Sequence, residues 1–305
     1  MFAAFIAALL LQTASTEPVD GLRCGTPENT AAEDAIRDVE EEIAAENGSA
    51  AIEAAERALE ADEKCTAAHL AMLDAIQQRF EEVGTMQALP LAGKYRRSLA
   101  SALEADPDDT NIRSREIGFL INAPGIAGGS KRKARERIED LRGIDPVAAA
   151  DMNVMLAKSG DDTDEIADAL GAYIALAPED LNARIEHVLF LREAERYQEA
   201  DEIAVDYART PGDDFYRLGL LFVRGTVRTL GEYELAEAED IFQQYIEELK
   251  SVEGERLPDK ARALAYIGDS RSLRGDTQGA ASAYEEAIAL NPNEQKAIDG
   301  LKALQ

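Results

Sequence analysis

A recurring pattern of small, aromatic and turn-forming positions organises the chain from about residue 31 onward. Its clearest copy is ALAYIGDSRSLRGDTQGAASAYEEAIALNP, near the C-terminus. Within it Gly268, Gly275, Ala280, Tyr284, Ala287 and Pro292 follow one another at offsets of 7, 5, 4, 3 and 5. Two helices approach closely only where facing side chains are small. Gly268 is therefore expected against Ala280 and Ala287, with Tyr284 filling the gap to the next element. Gly275 and Asp276 suit a tight turn, with Asp276 capping the second helix. Pro292 cannot continue a helix and closes the unit.

The second-helix pattern recurs upstream. Ala51, Ala55 and Ala58 repeat it, as do Tyr95, Leu99 and Ala102, then Ala134, Ile138 and Leu141. Ile166, Leu170 and Tyr173 follow, then Ala200, Ala204 and Tyr207, and Ala238, Phe242 and Tyr245. Pro146, Pro178 and Pro211 are spaced by 32 and 33 residues. These residue types at this spacing resemble the tetratricopeptide repeat (TPR), whose period is about 34. Leu264 and Arg271 stand where that family often carries Trp and Tyr, so the copy is divergent. The resemblance implies an all-α, right-handed superhelical solenoid of about seven helical hairpins over 31–292. A capping helix would occupy 293–305, with Asn293 as its N-cap, and be polar on one side as the end of a solenoid requires.

The first residues break the pattern. Phe2 to Leu11 is uninterrupted and apolar, small polar residues follow, and no charge precedes Glu17. This reads as a secretory signal over 1–15, cleaved near Ala14 or Ser15, although no Lys or Arg precedes the apolar run. Residues 16–30 form an N-terminal extension. No other segment has transmembrane length, so a periplasmic or secreted location is expected. Cys24 lies just before the first expected helix and Cys65 just after the second. A disulfide between them would close a loop of about 40 residues and stabilise by roughly 4 kcal/mol.

Composition narrows the partners. The chain has 60 acidic and 32 basic residues, a net charge of −28. That charge disfavours nucleic acid and anionic membranes and is consistent with a solvated acidic face or an acidic groove. Against this background, residues 94–142 hold 11 basic and 8 acidic residues, a net +3 against −31 elsewhere. Such an island could receive a carboxylate-rich or phosphorylated partner. It could equally be spent in i,i+4 pairs such as Arg132 with Glu136 and Arg135 with Glu139. Within it, APGIAGGSKRKARER places Gly125, Gly128 and Gly129 before a basic helix start, where backbone amides could cradle an anion. The order does not fit a Walker A loop. It also reads as a long turn, with Pro124 ending one helix and Ser130 capping the next.

No catalytic, cofactor or metal motif is present, so an enzyme is not expected. His69 and His187 are far apart, and with this many carboxylates close acid pairs arise by chance. The expectation is an exported scaffold that binds a protein or peptide on its concave face. The candidate contacts are Arg113, Lys131, Arg132, Lys133, Arg135, His187, Arg217 and Arg271, taken as exposed side chains, with His69 beside them. The alternative is a periplasmic solute-uptake or envelope-assembly component with a ligand pocket in the superhelix. The sequence does not specify the partner or the oligomeric state.

Overall fold

The computed structural model describes residues 30–209, 211–250 and 257–305. The signal, most of the extension and Cys24 lie outside the described residues. Fifteen α-helices and no strand are found among those described. They form two compact units, divided after Asp162.

The first unit holds α1 (Thr30–Ala44), α2 (Gly48–Ala61), α3 (Thr66–Glu82), α4 (Thr85–Ala105), α5 (Thr110–Asn122), α6 (Lys131–Arg142) and α7 (Pro146–Lys158). The second holds α8 (Thr163–Leu176), α9 (Leu181–Glu193), α10 (Tyr197–Tyr207), α11 (Asp214–Leu230), α12 (Leu235–Leu249), α13 (Lys260–Leu273), α14 (Thr277–Leu290) and α15 (Gln295–Ala303). Six of the seven expected hairpins lie whole within a unit. The fourth, α7 with α8, is divided: α7 packs on α5 and α6, and α8 packs on α9. In the second unit α9, α11 and α13 each touch the next first helix as well as their own partner, and α15 covers α13 and α14.

Local chemistry explains where the helices begin. The first helix of five hairpins opens on an aspartate, namely Asp109, Asp145, Asp180, Asp213 and Asp259. Each carboxylate accepts a backbone N–H two or three residues on, satisfying a donor that the helix cannot, a contribution of about 1 kcal/mol per cap. Part of the acidic excess is thus committed to capping. Asp276 caps α14 through the Gly279 amide at 2.9 Å, as its sequence position predicts. The last helix differs from expectation: its N-cap is Glu294, which accepts from Lys296 N, and Asn293 lies in the preceding turn.

Four hairpins turn through a left-handed residue, at Glu46, Glu195, Glu232 and Gly275, and the third of these turns has a second one at Glu234, the N-cap of α12. Each turn is closed by an amide bonding the carbonyl five residues back: Asn47 to Glu42, Arg196 to Leu191, Tyr233 to Arg228 and Asp276 to Arg271. This is the Schellman arrangement. Only Gly275 announces it in the sequence; glutamates occupy the other three positions at the steric cost of a Cβ.

The small-residue crossings are real but their partners differ from expectation. Gly268 faces the ring of Tyr284 rather than Ala280 and Ala287, and Gly300 of α15 lies against the same ring. A Cβ at either glycine would overlap it, so Tyr284 fills the space between α13 and the last helix. One hairpin earlier, a Cβ at Gly225 would come within 2.8 Å of Phe242. In the α9–α10 hairpin the aligned residues are Val188 and Ala204, both buried in one cluster. Larger and smaller have exchanged sides.

Candidate partner-binding surfaces

In the second unit the first helices of successive hairpins meet at an aromatic-floored recess of about 410 Å³. Phe222 of α11 and Tyr266 of α13 form its floor, with Pro258, Asp259, Arg262, Asn291 and Glu294 around it. The Phe222 and Tyr266 rings meet edge to face at 5.7 Å, and Phe242 stacks on Tyr266 at 5.4 Å. Lys296 Nζ lies 4.4 Å from the centroid of Tyr266, a cation–π contact. At the rim, half-exposed Arg262 pairs with the buried Glu294 carboxylate at 3.2 Å. The recess therefore offers apolar area, a carboxylate and a guanidinium on an edge formed by three elements.

These hairpins are TPR-like. Glycine lies under an aromatic ring in successive copies, and first helix packs on first helix. No family model matches the chain, and no curated protein matches it. Among solved structures it is similar to a tetratricopeptide repeat protein from Parabacteroides merdae, at 13% identity over 90% of this chain and 99% of that one, with a TM-score of 0.44. It is similar to a chain in the structure of Naa15/Naa10 bound to HypK-THB, at 13% identity over 90% of this chain, with a TM-score of 0.49; it spans 39% of that chain. It is also similar to Pseudomonas aeruginosa pilF, at 16% identity over 92% of this chain and 100% of that one, with a TM-score of 0.38.

The structure separates the sequence-predicted contacts into spent and available ones. The expectation that His187 is exposed is overturned: it is 4% exposed, and its Nδ1 shares a hydrogen bond with the Tyr207 hydroxyl at 2.9 Å. Burial lowers the pKa of His187 and pushes Tyr207 up to about 12. His69 is buried too, its Nε2 2.9 Å from the Glu63 carbonyl oxygen. Arg271 is clasped rather than free. With Arg274 it grips the Glu239 carboxylate of α12, and Glu239 is itself nearly buried. Burial alone would raise the Glu239 pKa, but Arg271 and Arg274 more than reverse this and hold it below its ordinary value. Arg113 donates to the Pro107 carbonyl at 2.6 Å. Arg217 bridges Asp214 and Glu248.

The basic island divides the same way. Lys94 pairs with Glu56, Arg115 with Asp74, Arg132 with Glu136, and Arg137 with Glu116 and Asp140. Lys131 donates to the Ser159 carbonyl at 2.5 Å. The expected pairing of Arg135 with Glu139 does not form; Glu139 pairs with Arg142 at 2.9 Å instead. Among the described residues Arg96, Arg97, Lys133 and Arg135 make no ion pair, and all four are exposed.

The glycine-rich turn is structural. Gly128 N bonds Gly125 O, Gly129 N bonds Pro124 O, and Ser130 N bonds Leu120 O at 2.7 Å. The Gly128, Gly129 and Ser130 amides are thereby used within the turn. Gly128 sits at φ 108°, and a Cβ at Gly129 would overlap the Ala123 carbonyl. Ser130 caps α6 by accepting from Lys133 N. Sequence reasoning did not single out Arg262, Tyr266 and Glu294 as neighbours. The only signal was their position at the start or middle of adjoining helices about one repeat apart.

Proposed function

We propose that the chain is an exported, non-catalytic helical-repeat scaffold that holds a protein or peptide partner against its first-helix row. The recess between α11, α13 and the start of α15 is its contact in the second unit. The reading rests on one observation: Phe222 and Tyr266 present an aromatic floor beneath the Arg262–Glu294 pair, where first helices of successive hairpins adjoin. Aromatic area with a polar rim is the composition of a binding hot spot. Export is supported by the apolar N-terminal run. A Cys24–Cys65 disulfide accords with it; Cys65 itself is buried at the start of α3.

Two measurements test this. A photo-crosslinking residue at Arg262 should trap a discrete protein partner in cells, whereas the same residue at Glu286, on the exposed side of α14, should not. Equal trapping at both positions would remove the recess from consideration. A small solute that copurifies with the protein and is displaced by Arg262→Glu would favour a solute-binding accessory instead. For export, the mature N-terminus recovered from the cell envelope fraction should begin near Ser15, and alkylation mapped by mass spectrometry should find Cys24 and Cys65 joined.

A further inference from the structure

A second groove, of about 330 Å³, lies in the first unit between α4, α5 and α6. It is independent of the first-helix recess. Leu99 and Leu103 of α4 and Phe119 and Leu120 of α5 line it as apolar floor, with Arg96, Lys133 and Arg137 at the edge. Two carboxylates, Glu116 and Glu136, also face it. Both are already paired, Glu116 with Arg137 at 3.1 Å and Glu136 with Arg132. The rim cations without an ion pair are therefore Arg96 and Lys133, with exposed Arg97 and Arg135 on the same two helices. The Arg96 side chain lies over Gly128, whose added Cβ would come within 3.1 Å of it. That contact holds it beside the start of α6, where the helix dipole is positive.

The register of the repeats explains why this cation has no partner. Aligning Tyr95 with Ala200 and Ala238 puts Arg96 where α10 carries Asp201 and α12 carries Glu239. In the second unit those acids are gripped by arginines of the next first helix: Arg224 and Arg228 for Asp201, Arg271 and Arg274 for Glu239. On α4 the charge at the position is reversed, and α5 brings no carboxylate to it that is not already paired.

We infer that the groove between α4, α5 and α6 takes an acidic peptide segment of a partner protein. An apolar side chain of that segment rests on Leu99, Leu103 and Phe119, and its carboxylates meet Arg96 and Lys133. Charge complementarity selects the occupant. The apolar floor suits a peptide better than a bare anion, and the −31 of the surrounding protein repels a long polyanion such as nucleic acid. The same surplus of negative charge opposes a second copy of the chain, since both bodies carry −28.

The test is fluorescence anisotropy of the full chain with a labelled peptide of about a dozen residues that combines glutamates with leucine and phenylalanine. Binding is expected, weakened severalfold when salt rises from about 0.05 to 0.3 M. The double variant Arg96→Glu/Lys133→Glu should lose at least about tenfold in affinity, and Lys133→Glu alone a smaller part, with unchanged circular dichroism. Replacing the peptide's glutamates by glutamine, or its leucine and phenylalanine by serine, should each weaken binding comparably. Equal binding of the glutamine peptide, or of the double variant, overturns the inference. So does tighter binding of a single-stranded oligonucleotide of similar charge. Sedimentation of the protein alone should give a monomer; a dimer dissociated by Arg96→Glu/Lys133→Glu would make the occupant a second copy and overturn it too. None of these outcomes depends on the Arg262 crosslink, so this groove and the first-helix recess can fail separately.

Discussion

At two seams of the second unit, hairpin follows hairpin through a carboxylate on one second helix and a pair of arginines on the next first helix or at its C-cap. Asp201 accepts from Arg228 Nε at 2.8 Å and from Arg224 Nε at 3.1 Å. Glu239 serves Arg271 and Arg274 in the same way. In the first unit the corresponding second-helix position carries Arg96, and the seam between α4 and α5 leaves a groove. One position in the repeat thus serves as a clasp where its charge opposes the neighbouring helix, and as a surface contact where it does not. The total of basic residues says nothing about their availability. Whether a carboxylate stands one helix away decides it.

The sharpest way to break this comparison is to remove the packing shared by the second-unit hairpins. Phe242→Ala should cost about 3–5 kcal/mol, because the ring is wholly buried against Gly225 and Tyr266. Calorimetry should show the second unit melting earlier while the first is little changed. Glu239→Ala comes next. It leaves two partly covered arginines without their carboxylate and should cost about 1–3 kcal/mol, less than a fully buried pair because both guanidinium groups retain some solvent. Arg96→Ala in the first unit should change stability by no more than about 0.5 kcal/mol, since it breaks no ion pair. Equal losses for the two variants would erase the distinction between clasp and free cation.

The clasp also has a pH signature. Glu239 is held below its ordinary value of 4.5. Its contribution to stability is therefore full above that value and disappears as the pH falls through its lower folded-state value. Denaturation curves from pH 6 down to about pH 3 should show Glu239→Gln already lacking this stabilisation at pH 6, so that its difference from the wild type shrinks in acid. The smallest effect concerns turns. Glu232→Gly relieves a Cβ in the left-handed region at φ 56° and should stabilise by about 0.5–1 kcal/mol, whereas Gly275→Ala, at φ 81° in the aligned turn, should destabilise by a similar amount. Opposite signs at two aligned positions would be read directly from the two melting temperatures.

Much of the fold was legible in the sequence because it is written locally. Aspartate before a helical run specifies a cap, proline ends a unit, and alanine and glycine at fixed offsets specify close crossings. These signals give seven pairs of helices and a final one. The site was far less legible. His187 and Arg271 occupy helix positions that look solvent-facing, yet one hydrogen-bonds Tyr207 and the other is held by Glu239, 32 residues away. Arg135 has an acid at i+4, but that acid, Glu139, pairs with Arg142.

By itself the sequence determined the helical class, the hairpin register, caps such as Asp276 and Ser130 and the uneven placement of charge, since each depends on residues a few positions apart. Tertiary structure decided which glycine lies under which ring, which turns accept glutamate in a left-handed conformation, and which cations remain unpaired. The physical reason is that a close contact or ion pair depends on distance in space. Between neighbouring helices that distance is set by how side chains thirty or forty residues apart come to pack.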